Sequence, residues 1–445
     1  MHEIKIDFSR NDGIMKPMHA VNNGPVYKFA EDQRITNIDH FRAAAIPYAR
    51  THDAAFYATY GGEHTVDIHA IFPDFDADPE DPASYDFVCT DEYMKVMVYA
   101  GVEPFYRLGS KIEHWPKKYG TLPPKDFHKW AVICEHIIRH YTEGWADGFH
   151  YKMTYWEIWN EPDLDPDDST HKRTWGGTKK QFFELYHIAA THLKKCFPHL
   201  KIGGPALAGK MDWAEEFLAQ LKAPLDFFSW HVYAKDDEKV LMKIRKVREL
   251  LDTYGFKDTE SILNEWNYVR GWKGDDWLYS LRMEKALKGS AFIAMVMCLG
   301  QREALDMLMY YDARPCGMNG LFSTDFVCDR LKGYYPFYMF NQLYQLGEYT
   351  KTEDANNIYS CAAKNGTNAA IMVTHFIDDD ETAPKDTLLD ISGFSAENGI
   401  RAKFYRLSEE EDLEFVKEES FTGETYKIPL NLPNFNSYLV LLEKI

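Results

Sequence analysis

The chain has 445 residues, so its length allows two or three domains, or one large barrel with an appendage. Its 69 Asp and Glu residues outnumber its 50 Lys and Arg residues, and the net charge of −19 disfavours nucleic acid and anionic membrane surfaces as partners, since both are bound through basic patches. The hydrophobic share of 45% and the charged share of 27% are those of a globular protein and exclude a disordered chain.

The first segment, residues 1–14, places Ile4, Ile6 and Phe8 at alternate positions, which favours a β-strand. It lacks the basic and apolar regions of a secretory signal, and no run of about 18 apolar residues follows, so we expect a cytoplasmic protein that does not span a membrane. The seven cysteines are widely spaced and include no C-x-x-C pair, so we expect no disulfide framework, no zinc site and no cofactor.

Residues 15–346 alternate short apolar runs with longer amphipathic stretches, which is the pattern of repeated βα units. Eight such strands predict an α/β fold, a (β/α)8 TIM barrel. A doubly wound open sheet is the alternative, but no G-x-G-x-x-G follows the first strand. The predicted strands are Ile46–Thr51, Val66–Phe72, Glu103–Leu108, Tyr155–Asn160, Lys201–Gly204, Phe227–His231, Ser261–Asn264 and Asp306–Tyr311. The predicted helices include Thr90–Ala100, Lys125–His140, Lys179–Lys195, Glu238–Tyr254 and Arg282–Leu299.

Residues 347–445 lose the helical periodicity and predict a C-terminal antiparallel β-sandwich, which the N-terminal strand 1–14 is expected to join. The pair Asn365-Gly366 between two β-prone runs is a strong hairpin signal. We expect this domain to pack against the barrel, to mediate contacts in a homo-oligomer, or to bind carbohydrate, and the sequence leaves these alternatives open. Its predicted strands are Asn357–Lys364, Asn368–Phe376, Thr387–Ile391, Ile400–Leu407, Tyr426–Leu430 and Ser437–Glu443.

Two acidic stretches, residues 73–81 and 163–168, follow predicted strands and are therefore expected at the active face of the barrel. Their oxygen ligands would suit calcium, but the spacing of an EF-hand is missing, so we favour solvated loops stiffened by proline and expect no metal.

Two glutamates stand at the ends of apolar runs. Glu161 ends Tyr155-Trp156-Glu157-Ile158-Trp159-Asn160 and is followed by Pro162, which stops a strand. Glu265 ends Ser261-Ile262-Leu263-Asn264. The two carboxylates would come from barrel strands four and seven, at the carboxyl-terminal mouth where barrel enzymes carry out their chemistry.

Two carboxylates that face each other across a cleft suit glycoside hydrolysis, in which one group is protonated and the other ionised. A separation of about 5–5.5 Å would indicate retention of configuration through a covalent intermediate. The alternative is a buried structural acid paired with Arg or Lys, which is how we interpret Glu157, deeper in the barrel. The pattern alone does not assign the two roles between Glu161 and Glu265.

The motifs resemble those of a known group of enzymes. Trp159-Asn160-Glu161-Pro162 resembles the acid/base motif of the clan A glycoside hydrolases, and Leu263-Asn264-Glu265-Trp266 resembles their strand-seven nucleophile motif. Arg50-Thr51-His52-Asp53 and the block 155–163 resemble most closely glycoside hydrolase family 39, which contains β-xylosidases and α-L-iduronidases. The resemblance implies Glu161 as general acid/base, Glu265 as nucleophile and a retaining mechanism.

Supporting residues are expected around this pair. Asn160 can donate to the sugar 2-hydroxyl, a contact that tightens at the transition state. By the resemblance, His231 and Tyr233 face the nucleophile, and a tyrosine hydroxyl can orient a carboxylate. His52 and Trp266 are expected to contact the sugar.

Strand eight ends in Tyr310-Tyr311-Asp312-Ala313-Arg314, where many clan members place a tryptophan as a sugar platform. We therefore expect Tyr311, Asp312 and Arg314 to distinguish the substrate. Arg314 could bind a uronate carboxylate as a fork, but an internal pair with Asp312 is favoured.

Together these features predict a cytoplasmic retaining exo-glycosidase, β-xylosidase-like, that acts on a short oligosaccharide or small glycoside. The alternatives are an endo-acting clan A glycanase and a non-catalytic sugar-binding barrel.

Overall fold

The structure, a computed structural model, describes residues 2–30, 33–53, 62–325, 327–353 and 355–445. In chain order its strands are β1 (His2–Asp7), β2 (Ala20–Asn22), β3 (Tyr27–Ala30), β4 (Gln33–Thr36), β5 (Tyr48–Arg50), β6 (Glu103–Leu108), β7 (Tyr155–Ile158), β8 (Lys201–Leu207), β9 (Phe227–Ala234), β10 (Glu260–Tyr268), β11 (Met307–Tyr310), β12 (Glu348–Thr350), β13 (Ile358–Lys364), β14 (Asn368–His375), β15 (Lys385–Ser392), β16 (Ile400–Leu407), β17 (Asp412–Phe421), β18 (Thr425–Leu432) and β19 (Ser437–Lys444). Its α-helices are α1 (Ile38–Ala43), α2 (Ile68–Ile71), α3 (Val88–Tyr99), α4 (Phe127–Thr142), α5 (Lys179–Cys196), α6 (Met211–Gln220), α7 (Asp237–Thr253), α8 (Gly274–Met283), α9 (Leu287–Arg302) and α10 (Tyr334–Tyr344).

Eight parallel strands close into a barrel in the order β2-β5-β6-β7-β8-β9-β10-β11, and this confirms the predicted (β/α)8 fold. Capped helices follow several of the strands. Asp126 accepts hydrogen bonds from the first turn of α4, and Thr178 forms a reciprocal capping box with Gln181 at the start of α5. β7, which precedes Glu161, and β10, which contains Glu265, are the fourth and seventh strands of the barrel.

Three predicted elements differ in the structure. Residues 66–72, expected as a strand, contain the short helix α2, because Ile68 and Ile71 are buried on one face and a short apolar run cannot be assigned by periodicity alone. The first barrel strand is instead β2, whose three residues are too few to show a period. The single helix expected over 282–299 is two helices, α8 and α9, separated by residues 284–286.

The interior of the barrel is apolar at one end and polar at the other. Side chains near the amino-terminal ends of the strands form an apolar cluster that includes Phe105, Tyr155, Phe227, Ile262 and Met307. Polar residues therefore gather toward the carboxyl-terminal mouth, where the loops of a barrel build its active site.

The C-terminal region is a β-sandwich, as predicted. A three-stranded sheet, β1-β15-β18, faces a six-stranded sheet, β12-β13-β14-β19-β16-β17, over a common apolar core. The N-terminal strand β1 pairs in parallel with β15 and buries Ile4 and Ile6 in that core. β17 was missed because it is an edge strand with mostly exposed, charged side chains.

In the part of the chain that the structure describes, no helix combines the length and the apolar character that crossing a membrane requires.

Candidate active site

Glu161 follows β7 through a backbone turn that points its side chain into the barrel mouth. Trp159 and Glu161 both have positive φ angles, 73° and 48°, which side-chain-bearing residues adopt only where the surroundings enforce them. The Glu161 N–H donates to the carbonyl of Ala206 at 2.8 Å, and the hydroxyl of Thr174 donates to the carbonyl of Glu161 at 2.6 Å. These two bonds hold the main chain of Glu161 and thereby orient its carboxylate.

Glu265 reaches the same mouth because β10 contains a bulge. The pairing of β10 with β9 shifts register between Leu263 and Glu265, and such a shift breaks the strict alternation of side chains. Asn264 can then bond Glu157 in the barrel interior while Glu265, the next residue, lines the cavity at the mouth.

The predicted pairing of the two carboxylates is present in the structure. One oxygen of Glu161, one oxygen of Glu265 and one ring nitrogen of His231 all lie within 4.8 Å of one another. Two carboxylates this close can act on the same glycosidic bond.

Glu161 has the environment of an acid. Burial, and secondarily the nearby Asp163 carboxylate, raise the pKa of Glu161 to about 7. Nδ1 of His231 lies 2.8 Å from Oε1 of Glu161. Burial lowers the pKa of His231 to about 4, so at neutral pH this ring is uncharged and does not act as a cation toward Glu161.

Glu265 is surrounded by donors instead. Tyr233 donates its hydroxyl to Oε1 of Glu265 at 2.5 Å, and Nη1 of Arg50 lies 3.4 Å from Oε2. Nε2 of His52 lies 3.8 Å from the same oxygen. These groups hold the Glu265 carboxylate in a fixed orientation at the mouth.

Arg50, at the end of β5, connects these residues from the interior of the barrel. Its buried guanidinium donates to Glu157 at 2.7 Å, to Asn22 at 3.0 Å and to Oδ1 of Asn160 at 2.6 Å. Glu157 is thus a fully buried, paired acid, as expected. The bond from Arg50 orients Asn160 so that its Nδ2, which has no partner among the described residues, remains free to donate to a ligand.

His52 and Tyr311 form the opposite wall of the cavity, at the ends of β5 and β11. Their rings meet edge to face with centroids 5.3 Å apart. His52 thus follows the second barrel strand, not the first, because β2 precedes it. Both residues lie where the sequence predicted a sugar contact.

Asp312 and Arg314 lie behind this wall and form the internal pair that was the favoured alternative. Nε of Arg314 is 3.3 Å from Asp312, and its Nη2 is 3.2 Å from Asp53. Asp312 also accepts a hydrogen bond from Asn23 at 2.8 Å. Since two carboxylates engage the guanidinium, the structure places Arg314 as a support for the wall instead of a free fork for a uronate.

Trp266 lies outside the cavity, so its predicted contact with substrate is wrong. Its ring is 1% exposed and packs against Tyr310 at 5.3 Å and against Phe292 of α9 at 6.3 Å. The bulge turns Glu265 inward, and the following side chain therefore lies on the helix side of the strand.

The second acidic stretch lies at the active face, as expected, since Leu164 lines the cavity, whereas the first packs along a helix. Residues 73–81 run along α4, where Lys125 bonds Asp76 at 2.8 Å and Lys129 donates to the carbonyl of Ala77. In the second stretch, Asp163 accepts three backbone N–H bonds from residues 208–210, and Asp165 pairs with Arg173. These carboxylates organise loops with donors from the chain itself.

Within the part of the chain that the structure describes, three groups of side chains bring potential metal ligands within 4.8 Å, and one of them is the pair of glutamates with His231. The other two are His64, Asp67 and His69, and Glu135, His192 and Cys196. In each of these two, a guanidinium already binds the carboxylate, Arg107 at Asp67 and Arg139 at Glu135, both at 2.7 Å. A bound cation at the carboxylate disfavours a metal ion there.

The cavity around the glutamates has a volume of about 670 Å³. Besides the predicted His52, Glu161, His231, Tyr233, Glu265 and Tyr311, it is lined by residues that sequence reasoning missed. Among these are Arg173, Lys239, Lys243 and Trp272. Their position in the segments that directly follow barrel strands could have identified them as lining residues, since these segments form the mouth.

Comparisons with known proteins find similarity to glycoside hydrolases. A family model described as "Glycosyl hydrolases family 39" matches residues 55–267. A β-xylosidase of Geobacillus stearothermophilus is 30% identical over 179 residues, which are 37% of this chain and 33% of the relative. A β-xylosidase of Caldicellulosiruptor saccharolyticus is 29% identical over 165 residues, 34% of this chain and 32% of the relative. The matched segment spans about a third of the length of these curated relatives.

Solved structures match over the whole chain at lower identity, and these matches therefore show the fold alone. A glucosidase from Croceicoccus marinus has a TM-score of 0.79 at 22% identity and covers 100% of this chain and 99% of its own. A monomeric β-xylosidase from Caulobacter crescentus CB15 has a TM-score of 0.71 at 17% identity, with both chains covered completely. The chain is thus similar to glycoside hydrolase family 39 over residues 55–267, and it shares its overall fold with these solved structures.

Proposed function

We propose that this protein is a retaining exo-glycosidase, β-xylosidase-like, that removes a single sugar from the non-reducing end of a short glycoside. The observation that carries the proposal is the close approach of Glu161 and Glu265, within 4.8 Å, in two different electrostatic environments. Groups whose environments separate their protonation states supply the acid and the nucleophile of a double displacement.

In the first step, protonated Glu161 gives its proton to the glycosidic oxygen while ionised Glu265 attacks the anomeric carbon. The bond from that carbon to the leaving oxygen breaks, and the sugar becomes an ester of Glu265. Tyr233 and Arg50 hold the attacking carboxylate in place. Asn160 can donate its free Nδ2 to the 2-hydroxyl, a bond that strengthens in the transition state.

In the second step, Glu161, now ionised, takes a proton from a water molecule. The water oxygen attacks the anomeric carbon, and the ester bond to Glu265 breaks. The sugar leaves with its original configuration, and Glu161 is protonated again for the next cycle.

Two further features support the finer parts of the proposal. A cavity of about 670 Å³ is the size of a small-ligand pocket, which suits exo action on a short glycoside. None of the seven cysteines, all of them within the described residues, forms a disulfide, which suits the reducing conditions of a cytoplasm.

The proposal is tested with a panel of aryl glycosides and an activated fluoro-glycoside of the sugar that the panel selects. We expect label on Glu265 by peptide mapping and, by proton NMR, a first product that retains the configuration of the substrate. Glu161→Gln should slow substrates with poor leaving groups by about 10²–10⁴-fold, should slow those with good leaving groups least, and should be partly rescued by azide.

Two outcomes would refute the assignment. If no aryl glycoside is hydrolysed, the protein is a sugar-binding barrel instead of an enzyme. If Glu161→Gln retains full activity on a natural disaccharide, Glu161 is not the acid.

A further inference from the structure

Cationic side chains gather on one side of the active-site cavity. Arg173, Lys239, Lys243 and Lys273 all belong to the segments that follow β7, β9 and β10. The opposite side, formed after β5, β6 and β11, presents His52 and Tyr311 and, among the described lining residues, neither lysine nor arginine. This concentration stands out in a chain whose net charge is −19.

Among the described residues, three of these cations have no carboxylate within ion-pair distance. The structure gives Arg173 a bidentate pair with Asp165, at 2.6 to 3.1 Å. Lys239 donates instead to the carbonyl of Tyr233 at 2.7 Å, and Lys243 donates to the carbonyl of Gly209. Among the described residues, no carboxylate forms an ion pair with Lys239, Lys243 or Lys273, so their charges are available to a ligand.

The placement of Lys239 and Lys243 carries a cost in stability. Lys239 lies in the first turn of α7, and Lys243 lies one turn further along the helix. Like charges four residues apart repel each other, and the positive end of the helix dipole disfavours a cation at Lys239. Such an arrangement is explained if an anion binds between the helix and the cavity.

An aromatic surface lies on the same side. Trp272 is 55% exposed at the cavity, and its ring meets Tyr233 edge to face at 4.9 Å. On its other side it stacks on Trp277 with centroids 5.3 Å apart and planes 25° apart. A ring held from two directions offers an ordered apolar face to a flat ligand such as a sugar or an aromatic aglycone.

The position of Glu161 shows which part of a substrate would lie here. A general acid must be next to the oxygen of the leaving group. Glu161 follows β7 and thus belongs to the cationic side, whereas His52 and Tyr311 belong to the opposite side.

We propose that Lys239, Lys243 and Trp272 form a leaving-group subsite for an anionic aglycone, a sugar or ring that carries a carboxylate or a sulfate. This inference rests on the proposed glycosidase function, with Glu161 as the acid. Trp272 packs against the face of the aglycone, and the two lysines bind its anionic group.

The test uses three matched nitrophenyl glycosides of the sugar that the enzyme accepts, whose ring carries no charge, a carboxylate or a sulfonate. We expect the wild-type kcat/KM to be higher for the charged substrates, and this preference to decline with added salt. Lys239→Gln and Lys243→Gln should each reduce the charged-to-neutral ratio of kcat/KM by about fivefold, whereas the corresponding arginine variants should retain it.

Lys246→Gln is the matched control, because Lys246 lies on the same helix and pairs with Glu249 at 3.2 Å, outside the cavity. It should leave the ratio and the basal activity unchanged. An equal loss for carboxylate and sulfonate identifies a general anion site, and a loss for only one identifies the group that is bound. A wild-type ratio near one, or a ratio unaffected by either lysine variant, overturns the proposal.

Failure of the proposed function is distinguishable from failure of this inference. If no aryl glycoside is cleaved, the glycosidase proposal falls, and calorimetry then compares binding of a uronic acid–xylose disaccharide with binding of xylobiose. Tighter binding of the charged disaccharide that Lys239→Gln weakens would preserve an anionic subsite. Equal binding of the two would remove the subsite as well.

Discussion

Glu161 combines a constrained backbone with a perturbed carboxyl group. Its positive φ and the two hydrogen bonds of its main chain hold the side chain in the barrel mouth, and burial beside Asp163 raises its pKa to about 7. A raised pKa means that the protonated form predominates below neutral pH and is lost as the pH rises through that value. The acid required for the first step of glycoside cleavage is therefore present below about pH 7.

We expect kcat/KM to fall on the alkaline side with an apparent pKa near 7, since Glu161 then loses its proton. Asp163→Asn removes a neighbouring negative charge, so ionisation of Glu161 becomes easier and the alkaline limb should move to lower pH. The measurement is the pH profile of kcat/KM for both proteins.

Asp168→Asn is the control for that experiment, because Asp168 is an exposed carboxylate in the same loop. It should leave the alkaline limb in place. An alkaline limb that Asp163→Asn does not move would show that the titrating group is not Glu161.

At the scale of the element, much of the site follows from where each strand ends. The apolar runs before Asn160-Glu161 and Asn264-Glu265 predict two strand ends. β7 does end before Glu161, whereas β10 continues through Glu265 to Tyr268, and the barrel brings the two glutamates together. The direction of Trp266 could not be predicted, because a bulge that changes the register between Leu263 and Glu265 leaves no mark in the sequence. β2 was missed for a different reason, since its three residues are held by their neighbours in the barrel and not by a pattern of their own.

The strands of the site are connected by the buried guanidinium of Arg50, which joins β5 to Glu157 of β7 and to Glu265 of β10. We expect Arg50→Met to lower the free energy of unfolding by about 3–5 kcal/mol, because it leaves Glu157 buried without its cation. Arg50→Lys should recover only part of this loss, since an ammonium cannot reproduce the fork. Denaturant unfolding followed by circular dichroism measures both effects.

The double variant Arg50→Met/Glu157→Gln tests the cause. It should be more stable than Arg50→Met alone, because a neutral amide replaces the unpaired carboxylate. A loss below about 1 kcal/mol in Arg50→Met would instead mean that the charge of Glu157 is not the source of the cost.

At the scale of the whole molecule, the sandwich is attached to the barrel through shared packing. β13 and β14 bury one face against α9 and α10, with Cys361 and Met372 in the barrel-side core. The other face buries Ala362 and Ile371 in the core of the sandwich. Because both faces of these strands are buried, neither unit has a separate surface at the junction, and we expect the two to unfold together.

A polar contact at this junction also reaches the strand that carries Glu265. Lys288 of α9 is 3% exposed and pairs with Asp378, in the segment after β14, at 2.6 Å. The hydroxyl of Tyr268, at the end of β10, donates to the same carboxylate at 2.7 Å. The sandwich thereby supports the end of the strand on which the nucleophile lies.

We expect Lys288→Met to destabilise the molecule by about 3 kcal/mol, because it leaves the carboxylate of Asp378 without its buried cation. Lys235→Met removes a second cation from the same carboxylate, but Lys235 is half-exposed and 3.7 Å away, so its loss should cost less than about 1 kcal/mol. In both variants activity and circular dichroism should be lost in one coincident denaturant transition, since barrel and sandwich share a core. Two separated transitions in Lys288→Met would show that the sandwich can detach while the barrel stays folded, and the support of β10 would then depend on the barrel alone.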